Sequence, residues 1–225
     1  MRSEREKHPL AFSQARAVNK YIKFTCECTP AEIAPFDGFA ELNACRRKLL
    51  QLGLIGVDAN GIGFGNLSIR DGTTNNFYIT ASATGGISEL TLADCARVVA
   101  YDLKQNWLRY EGSAIPSSES LTHAAVYESD AKAGSVIHCH DSKLWTALLD
   151  QAPTSSKAVD YGTPEMAYEV MRLFKLTHIQ SRKIVVMAGH EGGIVAFGRD
   201  LEEAFAVLIR ESKKRTAAGS FRRTT

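Results

Sequence analysis

Pro116-Ser117-Ser118-Glu119 stands at the mouth of an expected helix, and Ser135-Val136-Ile137-His138-Cys139-His140 follows that helix as an expected strand. Residues two apart on a strand point to the same face, so His138 and His140 direct both imidazoles at one point while Cys139 faces the other way. Imidazole is the commonest metal ligand, and the pair reads as a metal-ligand arrangement; two histidines on a polar sheet face are the bland alternative. An apolar-faced helix around Leu144, Trp145, Leu148 and Leu149 comes next, so this part of the chain alternates helix, strand and helix.

Upstream, Leu42, Cys45, Leu49 and Leu52 recur at helical spacing, with Asp37 as the expected cap, Gly53 as the stop and Arg46-Arg47-Lys48 as a solvated basic face. Gly61 to Gly65 lead into Asn66-Leu67-Ser68-Ile69-Arg70, whose alternation predicts a half-buried strand. A strand after the glycines, where a helix is needed, excludes a dinucleotide fingerprint. A second strand, Phe77 to Thr80, runs into Ala81-Ser82-Ala83-Thr84-Gly85-Gly86, small residues that let backbone amides approach a ligand or that simply make a flexible turn.

Thr91 is expected to cap a short helix from Leu92 to Ala96, with Val98 to Tyr101 and Asn106 to Leu108 pairing as a hairpin. Beyond the loose stretch Gln151 to Lys157, Thr163-Pro164 opens a helix to about Phe174. Strands at Ile184 to Met187 and Ile194 to Phe197 flank Ala188-Gly189-His190-Glu191-Gly192-Gly193, and Asp200 caps a helix from Leu201 to Arg210. Elements alternate without a regular crossover pattern, and some strands are joined by tight turns. That pattern predicts an α/β fold of three layers, α/β/α, with a central mixed, largely antiparallel sheet covered by helices on both faces.

With 44% hydrophobic and 23% charged residues, the 225-residue chain has ordinary globular usage. It is long enough to bury roughly 70% of its unfolded surface in one domain without a structural metal. That domain is expected over 35–211, after an N-terminal extension over 1–34, partly helical from Phe12 to Lys23, and before a basic, fraying tail over 212–225. A formal net charge of +2 argues against nucleic acid or an acidic membrane as partner. No apolar run reaches the ~18 residues of a spanning helix, and the polar start Met1-Arg2-Ser3-Glu4 has no secretory core behind it. The expected location is the cytoplasm. Five cysteines without a framework suit a reducing compartment, and Cys26 and Cys28 read as ordinary thiols ahead of the weaker idea of a zinc knuckle.

Gly65-Asn66-Leu67-Ser68, Thr84-Gly85, Pro116-Ser117-Ser118-Glu119, His138-Cys139-His140 and a third histidine beside glycines at His190 resemble, in order, the signature segments of the class II aldolase/adducin family. Its reference enzymes are fuculose-phosphate and rhamnulose-phosphate aldolases and ribulose-phosphate epimerase. The resemblance implies that His138, His140 and His190 ligate zinc, with Glu119 a fourth ligand or the acid/base group beside the metal. Three neutral imidazoles leaving one position open agree with a catalytic zinc, although manganese, iron or cobalt would also suit them. In such enzymes the metal polarises a carbonyl and its adjacent hydroxyl and stabilises an enediolate. The resemblance also places Asn66, Thr84, Gly85, Ser117 and Ser118 around a substrate phosphate, consistent with the anion affinity of a helix start.

The implied activity is that of a lyase on a small phosphorylated hydroxy-carbonyl compound. Dehydration, epimerisation or decarboxylation on the same metal site is the near alternative, and an adducin-like assembly module the distant one. A homo-oligomer, tetrameric by analogy, is implied as well. His123, four residues after Glu119, is expected beneath the site. Two departures stand out. The family's proton-donating tyrosine has no counterpart in the shortened segment after His140, since Tyr161, 21 positions on, matches a later family position. Glu191 stands where the family commonly has glycine, as a second acid/base group or as a solvent-facing charge.

Overall fold

In the structure, a computed structural model, residues 21–221 are described. Strand β1 (Thr25–Thr29) leads to helix α1 (Phe39–Gln51), the short hairpin of β2 (Gly56–Val57) and β3 (Gly63–Phe64), and strands β4 (Asn66–Arg70) and β5 (Phe77–Thr80). A 3-10 turn at Leu92–Asp94 precedes β6 (Cys95–Asp102) and β7 (Trp107–Glu111), and α2 (Ser120–Ser129), β8 (Ser135–His140) and α3 (Ser142–Leu148) follow. The last part comprises α4 (Pro164–Leu176), α5 (Ile179–Arg182), β9 (Ile184–Val186), β10 (Gly193–Gly198) and α6 (Leu201–Phe221).

Eight strands form one sheet in the order β1-β7-β6-β5-β4-β8-β10-β9. The β1–β7 pair is parallel and its other neighbours are antiparallel, so the sheet is mixed and largely antiparallel. Alternating strand residues feed two cores. Val136 and Phe197 pack with Leu121, Met166 and Val170 of α2 and α4 on one face, while Ile137 and Ile194 pack with Leu42, Leu144 and Leu208 of α1, α3 and α6 on the other. Each such buried side chain contributes about 1.5–3 kcal/mol, so the three layers stand on packing alone. No helix among the described residues is long and apolar enough to cross a membrane.

Several local expectations change. Arg46 is fully buried instead of lying on a solvated face, although Arg47 beside it is exposed and pairs with Glu89. Helix α1 starts from Gly38 at φ 90° with no side-chain cap, so Asp37 does not perform that role. Strand β4 is buried on both faces because helices cover both sides of it: Ser68 and Arg70 are as enclosed as Leu67. The stretch after Thr91 makes a single 3-10 turn, with Asp94 accepting from the Thr91 amide and hydroxyl, and β6 then begins at Cys95. Helix α6 runs on to Phe221, beyond the expected end at Arg210, and Asp200 accepts from the Glu203 amide at its start. The expected helix from Phe12 lies largely outside the described residues.

Candidate active site

Strand β8 supplies His138 and His140 from one face, while Cys139 between them is buried in the opposite core. The third ring comes from the turn joining β9 to β10. Antiparallel pairing sets Gly193 opposite His140, and the turn closes through His190 N–H to the Met187 carbonyl at 3.1 Å and Gly193 N–H to the His190 carbonyl at 2.8 Å. Gly192 sits at φ 77°, and a Cβ on Gly193 would lie 2.6 Å from the His190 ring, so both glycines are required by the turn. One ligand atom from each of His138, His140 and His190 lies within 4.8 Å of the others.

The donor set fits a divalent cation. His138 Nδ1 lies 3.2 Å from the Ile194 carbonyl oxygen, which makes Nδ1 the protonated nitrogen and turns the Nε2 lone pair toward the cluster. Nε2 of His138 and of His140 are 3.0 Å apart, close to the ~3.3 Å between two ligands of a tetrahedral zinc with bonds of about 2.0–2.1 Å. Burial holds all three imidazoles neutral, as metal binding demands. His140 is lowered to about 4 and His190 to about 3, and His138 lies well below the ordinary range, with its two neighbours adding to the effect.

Glu119 occupies the N-cap position of α2 and is buried. Thr122 Oγ1 donates to its Oε2 at 2.6 Å, while Oε1 has no hydrogen-bond partner among the described residues. Burial pushes this carboxyl up to about 7 against the pull of the Thr122 bond, which gives it the proton affinity of a group able to act as acid or base near neutrality. Glu119 and the three histidines line one cavity of about 610 Å³, together with Asn66, Ser117 and Ser118. Ser117 Oγ accepts from the Glu119 amide at 3.3 Å, closing a turn just ahead of α2 while the residue lines the cavity.

Thr84 and Gly85 stand one layer back. Ser82 and Ala83 of the same loop line the cavity, and Ala83 takes φ 63°, a conformation that turns the chain there. His123 lies under the floor, fully buried. Its Nδ1 is 2.7 Å from Ser68 Oγ, which is in turn 2.7 Å from the Tyr127 hydroxyl. Glu191 is exposed and does not line the cavity.

Sequence reasoning missed the aromatic wall. Tyr21 and Tyr161 line the cavity, and the Tyr161 ring packs against His190 with centres 4.5 Å apart. Lys23 reaches across from ahead of β1, 2.5 Å from Asp160 Oδ2. No local pattern marks these residues, because they meet only through the parallel β1–β7 pairing.

Comparison with curated proteins by sequence gives no match. Solved structures share the fold. An L-fuculose 1-phosphate aldolase superimposes with a TM-score of 0.63 at 22% identity, over 86% of this chain and 90% of that one. The L-fuculose-1-phosphate aldolase of Thermus thermophilus gives 0.59 at 20% identity over 82% and 93%. YgbL of Klebsiella pneumoniae, described as a putative aldolase/epimerase/decarboxylase, gives 0.61 at 18% identity over 81% and 88%. Residues 40–210 match the family model for the Class II Aldolase and Adducin N-terminal domain, and the chain therefore belongs to the class II aldolase and adducin family.

Proposed function

We propose that the protein is a metal-dependent lyase of the class II aldolase type, acting on a small phosphorylated hydroxy-carbonyl compound. The observation that carries this reading is the convergence of three neutral imidazoles, one ligand atom from each within 4.8 Å, on the wall of a cavity that also holds a buried carboxyl. A zinc or similar divalent ion held by His138, His140 and His190 supplies Lewis-acid polarisation of a substrate carbonyl. Glu119, raised to about 7, exchanges the proton at the reacting carbon, and its unpartnered Oε1 is the atom free to do so. Ser117, Ser118 and Asn66 orient the phosphate against the start of α2, with Thr84 and Gly85 shaping that wall from behind. Tyr21, Tyr161 and the β2–β3 hairpin narrow the cavity and exclude water from the reacting atoms. The cytoplasm is the compartment we infer from composition, and a homo-oligomer is the expected assembly.

Metal analysis of the purified protein, followed by a screen of hydroxy-carbonyl phosphates with His138→Ala as control, tests the reading. Stoichiometric divalent metal and turnover that His138→Ala abolishes are expected. Equal turnover by the variant would overturn the mechanism, and bound metal without turnover on any substrate would favour an assembly role.

A further inference from the structure

Arg46 is a cation without a counter-ion. It is fully buried in α1, and no carboxylate among the described residues pairs with it; Asp94 acts on it only at a distance. One nitrogen, Nη2, donates to the Thr84 and Ile87 carbonyls at 2.7 and 2.9 Å, with the Gly85 carbonyl at 3.5 Å. Nε and Nη1 have no hydrogen-bond partner among the described residues. Guanidinium stays charged when buried, so the chain carries the desolvation cost of an uncompensated charge where a neutral donor would hold the same carbonyls.

The loop it grips is the back of the cavity wall. All peptide bonds described are trans, so carbonyls of Thr84 and Gly85 that face Arg46 send the N–H groups of Gly85 and Gly86 the opposite way. Among the described residues neither N–H meets a backbone carbonyl. The Gly85 nitrogen would lie 3.0 Å from a Cβ on Gly63, a residue of the cavity lining, so that amide is directed at the wall. Ser82 and Ala83 of the same loop line the cavity, and the Ser82 amide donates to the Ile115 carbonyl at 2.9 Å, tying the loop to the approach to α2.

The charge balance of the cavity gives Arg46 its significance. The described lining residues include no lysine or arginine, while Asp58 and Glu119 bring carboxyl groups to it, so a divalent ion on His138, His140 and His190 would be the other source of positive charge facing an anion there. Lys23, the nearby cation, is matched by Asp160 at 2.5 Å. An anion entering this space meets unbalanced positive charge from behind the 82–86 loop. A dianion on the far side of those polarised peptides supplies what Arg46 lacks.

We propose that Arg46 is a positioning residue that sets specificity for a phosphorylated substrate, charging the wall of Gly63, Ser82 and Ala83 through the Thr84 to Gly86 peptides. The inference rests on the reading above that the substrate carries a phosphate. Calorimetric binding of inorganic phosphate, dihydroxyacetone phosphate and dihydroxyacetone to the wild type, Arg46→Lys and Arg46→Met tests it. Arg46→Met weakens both phosphate-bearing probes at least tenfold and leaves dihydroxyacetone within about twofold. Arg46→Lys keeps all three within about threefold, even where its melting temperature falls. Should Arg46→Met not fold, Arg46→Gln, which keeps an amide donor for the carbonyls but no charge, carries the same expectation.

Unchanged phosphate binding in the neutral variant, or equal loss for all three probes, overturns the proposal and leaves Arg46 a loop clamp. A folded Arg46→Lys that loses phosphate tenfold overturns it too. A wild type that does not prefer dihydroxyacetone phosphate to dihydroxyacetone overturns the phosphorylated-substrate reading itself.

Discussion

Lys23 holds its ammonium 3.7 Å from the centre of the Tyr161 ring and 2.9 Å from the Tyr161 carbonyl oxygen. The same ring packs against His190, so a residue ahead of the first strand props the wall beside the histidine cluster. Lys23→Met removes the prop. The Lys23 side chain is 27% exposed, and the contact is worth about 0.5–1 kcal/mol, a fall in Tm of about 1–4 °C for a chain this long. The larger expected effect is a severalfold rise in KM with little change in kcat. A fall in kcat at constant KM would instead assign this corner to the chemical step.

Glu119 predicts an unusual stability profile. The native state keeps a proton up to about pH 7 that the unfolded chain releases near 4.5. The unfolded state therefore gains from ionising across that interval, and stability declines as pH rises from about 4.5 through about 7 and stays reduced above it. Glu119→Gln cannot ionise. In the metal-free protein it should exceed the wild type by on the order of 3 kcal/mol at pH 8 and match it at pH 4, measured by urea denaturation, while losing at least about 100-fold in turnover. Equal stability of the two proteins at pH 8 would mean that the site accommodates the ionised carboxylate without cost.

Metal removal should leave the fold intact, because both cores close without the histidine cluster. Zinc added to chelator-treated protein at about 100 times its dissociation constant should stabilise it by roughly 2.7 kcal/mol, a rise of about 5–11 °C in Tm. His138→Ala should show no such rise. A variant that keeps the full shift would place the ion elsewhere.

Tyr127→Phe should break the buried chain from Tyr127 through Ser68 to His123. Burial lowers His123 to about 3 and so keeps its ring neutral, with one nitrogen carrying the proton and Nδ1 held against Ser68 Oγ. Loss of the phenol should cost about 1–3 kcal/mol. Nitrogen-15 shifts of His123 should report a single tautomer in the wild type and a mixture in the variant. A single unchanged tautomer would show that Ser68 is oriented by other groups.

His138 and His140 were legible because strand periodicity is strict, whereas His190 was reached only through the family resemblance, since a lone histidine in a glycine turn carries no signal of its own; the order of elements then dictated a layered sheet. Arg46 was not legible. Its neighbours in sequence are charged, and its burial is decided by carbonyls of residues 84–87, which no local pattern links to α1. The loop over 81–86 illustrates a finer failure. Small residues mark 81–86 as a close-approach segment, but which of them face the cavity depends on the positive φ of Ala83, a conformation that alanine does not announce. Tyr21 and Lys23 were hidden for a similar reason, since they were read as the end of a helix in an N-terminal extension and nothing local links them to residues 160 and 161.

The pairing of β10 with β8 brings together segments 50 residues apart, and it sets the turn that carries the His190 ring beside the other two. A shift of one residue in that ladder would turn His138 and His140 into the opposite layer. An ion that needs all three rings can therefore be captured only by a chain that has already completed its long-range assembly. Uptake of a coloured divalent ion during refolding becomes a clock for the last step of structure formation, and a misaligned chain is invisible to it.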